Sequence, residues 1–215
     1  LLSGGILAAL LYVAMTLCVG LWWDGYSVTA HTPSELSAIG APTRPVWIVL
    51  GSIYSALMIA FAWIVWRSAA PNRALRVAGA LLLAQSVFGS YWPPMHQRAV
   101  LAAGGATLTD TLHLAWAIVT GVLFTSAIGF GAAALGKRFR VYSIATMAIV
   151  LACGAWTGTY ASRIQANLPT PGVGAWERLS IAFVMLWVAV LATALLRGPN
   201  MTGAADRGAA SGARW

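Results

Sequence analysis

The sequence predicts an all-α membrane bundle of six transmembrane helices, and three observations lead there. Only 8% of the 215 residues are charged while 60% are hydrophobic; a soluble domain carries about a quarter charged residues. The apolar residues gather in six runs, about 3–23, 46–66, 74–92, 110–135, 141–162 and 176–196. Each run can cover a hydrocarbon core of about 30 Å at about 1.5 Å per residue. The basic residues are also partitioned. Nine lie in the tail and around the short second and fourth loops, against four (Arg44, Arg98, Arg163 and Arg178) on the other side. That positive-inside bias places both termini in the cytoplasm.

Taken in order, the first run has no basic n-region and no small-x-small cleavage site before Asp24, so it reads as a retained span and not as a cleaved signal. The long loop after it contains Thr32-Pro33-Ser34-Glu35, a capping box with Pro at the first helical position, and Gly40 as a stop. A short surface helix over about 33–39 is expected there. The second and third runs flank RSAAPNRALR, and the third ends before the loop PPMHQRAVLAAGGATLT. The fourth opens with LTDTLHLAW and leads through GKRFR to the fifth. Within the fifth, Gly154-x-x-x-Gly158 followed by Ser162 makes a small-residue stripe, expected to let helices approach closely. Glu177 and Arg178 open the sixth run, where the helix dipole favours an acid. Pairing of Glu177 with Arg163 would clamp the third loop.

Residues 1–197 thus form one transmembrane domain, and the Gly/Ala-rich stretch 198–215 reads as a flexible cytoplasmic tail. Several tryptophans, Trp22, Trp23, Trp47, Trp66, Trp92 and Trp176, stand near run ends as an interfacial belt. The deeper Trp116, Trp156 and Trp187 either line a cavity or pack. Cys18 and Cys153 sit inside runs and belong to no CxxC pattern, so they read as small apolar residues.

The net charge of +8 is a topology signal, which leaves no reason to expect a nucleic-acid partner. Membrane lipid and other membrane subunits are the expected partners. Asp24, Glu35, Asp110 and Glu177 all fall on the outer side, as do His31, His96 and His113. Asp110 and His113 share a helix face at i and i+3, so the carboxylate can fix the imidazole tautomer and make a catalytic base. The alternative is architecture: an acid at a helix N-terminus and a hydrogen-bonded histidine inside the bundle. His31, His96 and His113 together suggest a three-histidine site for Zn or another divalent metal, with one position open and Asp110 or Glu35 beside it. Arg44 and Arg98, with Glu35 near them, are candidates for holding an anionic substrate head group, although Glu35 also reads as a helix cap. No Walker loop, GxGxxG, GxSxG or HExxH motif occurs.

The stretches GILAALLYV, WWDGYS, TPSELSAIGAPTRP, PMHQR, TDTLHLAWA, GKRFRVYSIAT and LPTPGVGAWERLSIA occur in that order. Together they resemble the bacterial membrane family called domain of unknown function 998, over nearly the whole chain except the tail. The family is similar in turn to Frag1-like membrane proteins, some of them linked to lipid remodelling. The resemblance implies a six-span protein of a bacterial cytoplasmic membrane and carries over no catalytic residue. Three functions are consistent with these residues: an enzyme acting on a lipid or lipid-linked substrate, a non-catalytic subunit or scaffold of a larger membrane complex, and a transporter or proton relay. An enzyme site requires the three histidines to converge beside a lipid-sized cavity. A scaffold does not.

Overall fold

The computed structural model describes residues 2–198. The expectation of a flexible tail therefore falls outside the described residues from 199 onward. Long apolar stretches have to satisfy their own backbone groups in lipid, which favours helices, and no strand occurs among the described residues beyond one isolated bridge between Ile39 and His96. The helices are α1 (Ser3–Cys18, running on as a 3-10 turn over Val19–Trp22), α2 (Arg44–Ser68), α3 (Arg73–Gly89), α4 (Arg98–Ala102), α5 (Leu108–Ala134), α6 (Lys137–Gly158), α7 (Ala161–Gln165) and α8 (Val173–Leu196). The surface helix expected over about 33–39 is a single 3-10 helix, Pro33–Ser37, with its capping box formed.

Among the described residues, five helices are long and apolar enough to cross a membrane: α1 with its extension, α2, α5, α6 and α8. The remaining long helix, α3, has 17 residues and so spans about 25 Å. It stops three residues earlier than its apolar run because Pro93 and Pro94 follow Trp92, and a residue before proline is pushed out of the α region.

Consecutive long helices pack side by side: α1 on α2, α2 on α3, α3 on α5, α5 on α6, α6 on α8, and α8 back on α1. The six close into a ring. Turns at one end are short, and Asn72 ties two of them together. Its side chain accepts from Leu75 N at 3.0 Å to cap α3, and its amide donates to Ala134 O at 2.7 Å at the end of α5. The opposite end carries the three long loops together with every described acid and histidine.

The short-turn half of the ring is filled. Phe61, Leu82, Ile128, Trp187 and Leu191 are fully buried there. Trp187 fixes the packing by donating its indole N–H to Ser143 Oγ at 2.9 Å while its ring lies over Gly131, where an added Cβ would stand 2.5 Å from Trp187 Cζ2. Large apolar side chains such as Leu10, Val49 and Val141 are exposed on the outside of the ring. In water that pattern would be a liability, but against lipid tails it is the expected surface.

Trp187 cannot retreat without losing its hydrogen bond, so Gly131→Ala overpacks this layer. We expect a loss of about 1–3 kcal/mol, measured as a lowered unfolding midpoint of the purified protein in a neutral detergent. An unchanged midpoint would mean that the indole has room to move.

Candidate functional site

The long-loop end is held by two buried arginines. Arg98, at the start of α4, grips Glu35 with two parallel bonds, Nε to Oε1 at 2.6 Å and Nη2 to Oε2 at 2.7 Å. It also donates to Thr170 Oγ1 at 2.7 Å and to Ala30 O at 3.1 Å. Glu35 Oε2 in turn accepts from Thr32 N at 2.7 Å. Both residues are nearly inaccessible, Glu35 at 4% and Arg98 at 8%. One ion pair therefore joins all three long loops. Arg178, in the first half of α8, has no carboxylate partner among the described residues and is satisfied by neutral oxygens: Thr16 O at 2.9 Å, Val28 O at 2.6 Å, His31 O at 2.9 Å and the Tyr26 hydroxyl at 2.5 Å. Gly174 permits that approach, since a Cβ there would lie 2.1 Å from His31 O. Burial pushes the Tyr26 phenol up to about 12 against the opposing pull of Arg178, so it remains a donor, to Thr32 O at 2.9 Å.

The three histidines do not converge. His31 stacks on Tyr26 with ring centroids 5.3 Å apart, and its Nδ1 accepts from Ser27 N at 2.8 Å. His96 lies beside Asp110, Nδ1 to Oδ2 at 2.9 Å, with its own backbone N–H on Oδ1 at 2.7 Å. His113 Nδ1 donates to Pro93 O at 2.7 Å. No group of three His, Cys, Asp or Glu side chains is placed to hold a metal ion among the described residues, so the expected His31/His96/His113 constellation is not formed. A three-ligand site needs its donors around one point about 2 Å away, and here the rings are committed to three different partners, Ser27, Asp110 and Pro93.

The Asp110–His113 pairing is likewise replaced. Asp110 caps α5 through Thr107 N at 2.8 Å and reaches back to His96. Thr107-x-x-Asp110 is a capping box like the one at Thr32, and the i, i+3 helix pairing gives way to it. The expected Glu177–Arg163 clamp does not form either: Arg163 Nε donates to Pro169 O at 2.9 Å. Arg44 donates to Ser37 O. Arg44, Arg98 and Glu35 thus serve to hold loops, and none of the three lines the cavity beneath them.

That cavity, about 760 Å³, occupies the long-loop half of the ring. Its walls are mainly apolar and aromatic, with Tyr12, Trp47, Tyr54, Trp92 and Trp116 among them. His113 and Glu177 both face it. A carbonyl only accepts, so the bond to Pro93 fixes the proton of neutral His113 on Nδ1 and leaves Nε2 as a free lone pair. Glu177 has no hydrogen-bond donor and no ion-pair partner among the described residues. It is the residue that sequence reasoning assigned to architecture. Its position in a first helical turn beside a proline-glycine loop carries no sign of a cavity.

The small-residue stripe also has a different use. A Cβ on Gly154 or Gly158 of α6, or on Gly121 of α5, would meet nothing within 4 Å. All three glycines line the cavity and are exposed. Instead of seating a neighbouring helix, they leave a gap between the long-loop halves of α5 and α6, opening the cavity sideways. Among the deeper tryptophans, Trp187 packs, Trp116 lines the cavity, and Trp156 is 52% exposed.

A ring of apolar helices around a roofed, laterally open cavity defines a polytopic helical membrane protein. The family model described as protein of unknown function (DUF998) matches residues 6–194, and the chain belongs to that family. No curated protein and no solved structure matches it.

Two outcomes follow from this geometry. Arg98→Met leaves Glu35 charged and buried without its partner, which costs about 3–5 kcal/mol. The double variant with Glu35→Gln should recover a large part of that loss, as read by unfolding in a double-mutant cycle. Burial lowers the His31 pKa from its ordinary 6.5, against the attraction of Glu35. Folding then favours neutral His31, so its contribution is complete above pH 6.5 and is lost as pH falls through the depressed value. Thermal stability should fall as pH drops below 6.5, and His31→Gln should flatten that part of the profile.

Proposed function

We propose that this protein binds a lipid-like amphiphile from the bilayer, drawing its chain through the α5–α6 gap into the cavity and holding its polar end at Glu177 and His113. The observation that carries this reading is the lateral opening, where three glycines keep two neighbouring helices from closing. Ligand pockets are mostly apolar with a few placed polar groups, in volumes of roughly 300–1,000 Å³, and the cavity fits that description. The packed layer around Trp187 and Phe61 stops it below. This supports a dead-end binding site over the through-path that a transporter or proton relay requires. The positive-inside bias supports six crossings, with α3 as the short one and both termini in the cytoplasm. The cavity then opens in the outer leaflet.

One observation favours a catalytic extension of the same reading. His113 presents a lone pair on Nε2 with its tautomer set from behind, the arrangement required of a general base. Its orienting group is a carbonyl and not a carboxylate. A hydroxyl of the amphiphile that reaches Nε2 would pass its proton to His113 as its O–H bond breaks, leaving the oxygen as the nucleophile.

A photoactivatable dodecyl alcohol, offered to the protein in lipid nanodiscs, should label peptides from α5, α6 and α8 that face the cavity. Gly154→Leu should cut that labelling several-fold by filling the gap. The variant should fold as well as wild type or better, because its Cβ meets no neighbour and leaving glycine in a helix interior gains up to about 1 kcal/mol. Labelling confined to the lipid-facing surface, unaffected by Gly154→Leu, would refute the reading.

A further inference from the structure

The chemistry of the cavity wall also specifies the charge of its occupant. Resting on the reading of the cavity as an amphiphile site, we propose that the polar end it accepts is a protonated amine, bound by Glu177 and by the aromatic faces beside it. Thirteen of the chain's residues are lysine or arginine, yet among the described residues none lines the cavity. The two arginines nearest in the sequence to its polar groups, Arg98 and Arg178, are held by Glu35 and by backbone carbonyls respectively. An anionic head group would meet no counter-charge and two carboxylates.

Those two carboxylates are not equivalent. Asp110 is satisfied by Thr107 N and by both nitrogens of His96 that face it. Glu177 accepts nothing from the protein among the described residues, although Arg178 is its neighbour in the chain. A carboxylate in an apolar cavity needs a proton or a cation, and an ammonium group supplies both charge and donors. The surrounding rings point the same way. Tyr12 lies 4.4 Å from Tyr54 and 6.3 Å from Trp47 between ring centroids, and all three line the cavity with Trp92 and Trp116. Aromatic faces attract ammonium and offer nothing to phosphate. The expectation from sequence, a head group of negative charge held by Arg44 and Arg98, is thereby inverted.

The test compares three probes with one chain length: dodecylamine, dodecanol and dodecyl phosphate. Each displaces the dodecyl photolabel from the full-length protein in zwitterionic nanodiscs at neutral pH. We expect the amine to compete at least about tenfold better than either of the others, a preference equivalent to about 1.4 kcal/mol. Glu177→Gln should bring the amine to the level of the alcohol, while Asp24→Asn, outside the cavity, should leave its advantage intact. Equal competition by all three probes in wild type, or a better phosphate, would overturn the amine proposal while leaving the cavity reading in place. Failure of all three to displace a label would overturn the cavity reading itself. The wild-type comparison requires no variant, so a misfolded Glu177→Gln cannot rescue the proposal.

Discussion

Everything at the long-loop end depends on the bidentate pairing of Arg98 with Glu35. Both charges are almost wholly buried, so each is tolerable only with the other in place and its remaining positions filled. Filling them recruits Thr32 and Ala30 from the first long loop and Thr170 from the third, while Arg98 itself comes from the second. Loops that share no secondary structure beyond the one bridge of Ile39 with His96 are thereby fixed relative to one another by one planar group. Lysine could not replace it, since the fork of a guanidinium matches a carboxylate and still leaves donors for other acceptors. The parallel contact of Ile39 N with Met95 O at 2.8 Å and the His96–Asp110 pair extend the same roof.

Under that roof the ring of helices has two regimes. At the short-turn end, a large indole from α8 occupies the centre and packs over a glycine of α5. At the other end, aromatic side chains line the wall without meeting across it, and the glycines of α5 and α6 face empty space. Helix association in lipid has little hydrophobic drive and rests on close packing, so a region where glycines contact nothing is not held shut by packing. The roof holds the loop ends of the helices while the gap stays open below.

The sequence disclosed some parts of the site and concealed others, for identifiable reasons. Thr32-Pro33-Ser34-Glu35 is legible because a capping box is written within four residues, and Thr107-x-x-Asp110 carries the related pattern with Asp in place of Glu. The pairing of Asp110 with His113 followed from helical spacing, but a cap carboxylate looks backward past the helix start, where His96 waits on another loop. Gly154 and Gly158 have the spacing of a packing stripe. Spacing alone does not say whether a neighbour sits opposite, and here none does. Glu177 looked structural because the first turn of a helix favours acids whatever they face.

By itself the sequence determined that this is an apolar helical membrane protein, where its long helices run, and that its acids and histidines share one end. Those properties follow from composition, run length and charge partition, which act locally along the chain. Only the tertiary structure decided which charges neutralise one another and which remains free. Arg98 and Glu35 are 63 residues apart and Arg178 reaches Thr16 across 162, separations that no local pattern encodes. Once the ring closes and these distant partners are satisfied, Glu177 and His113 are left facing the cavity, and that remainder is a property of the whole fold.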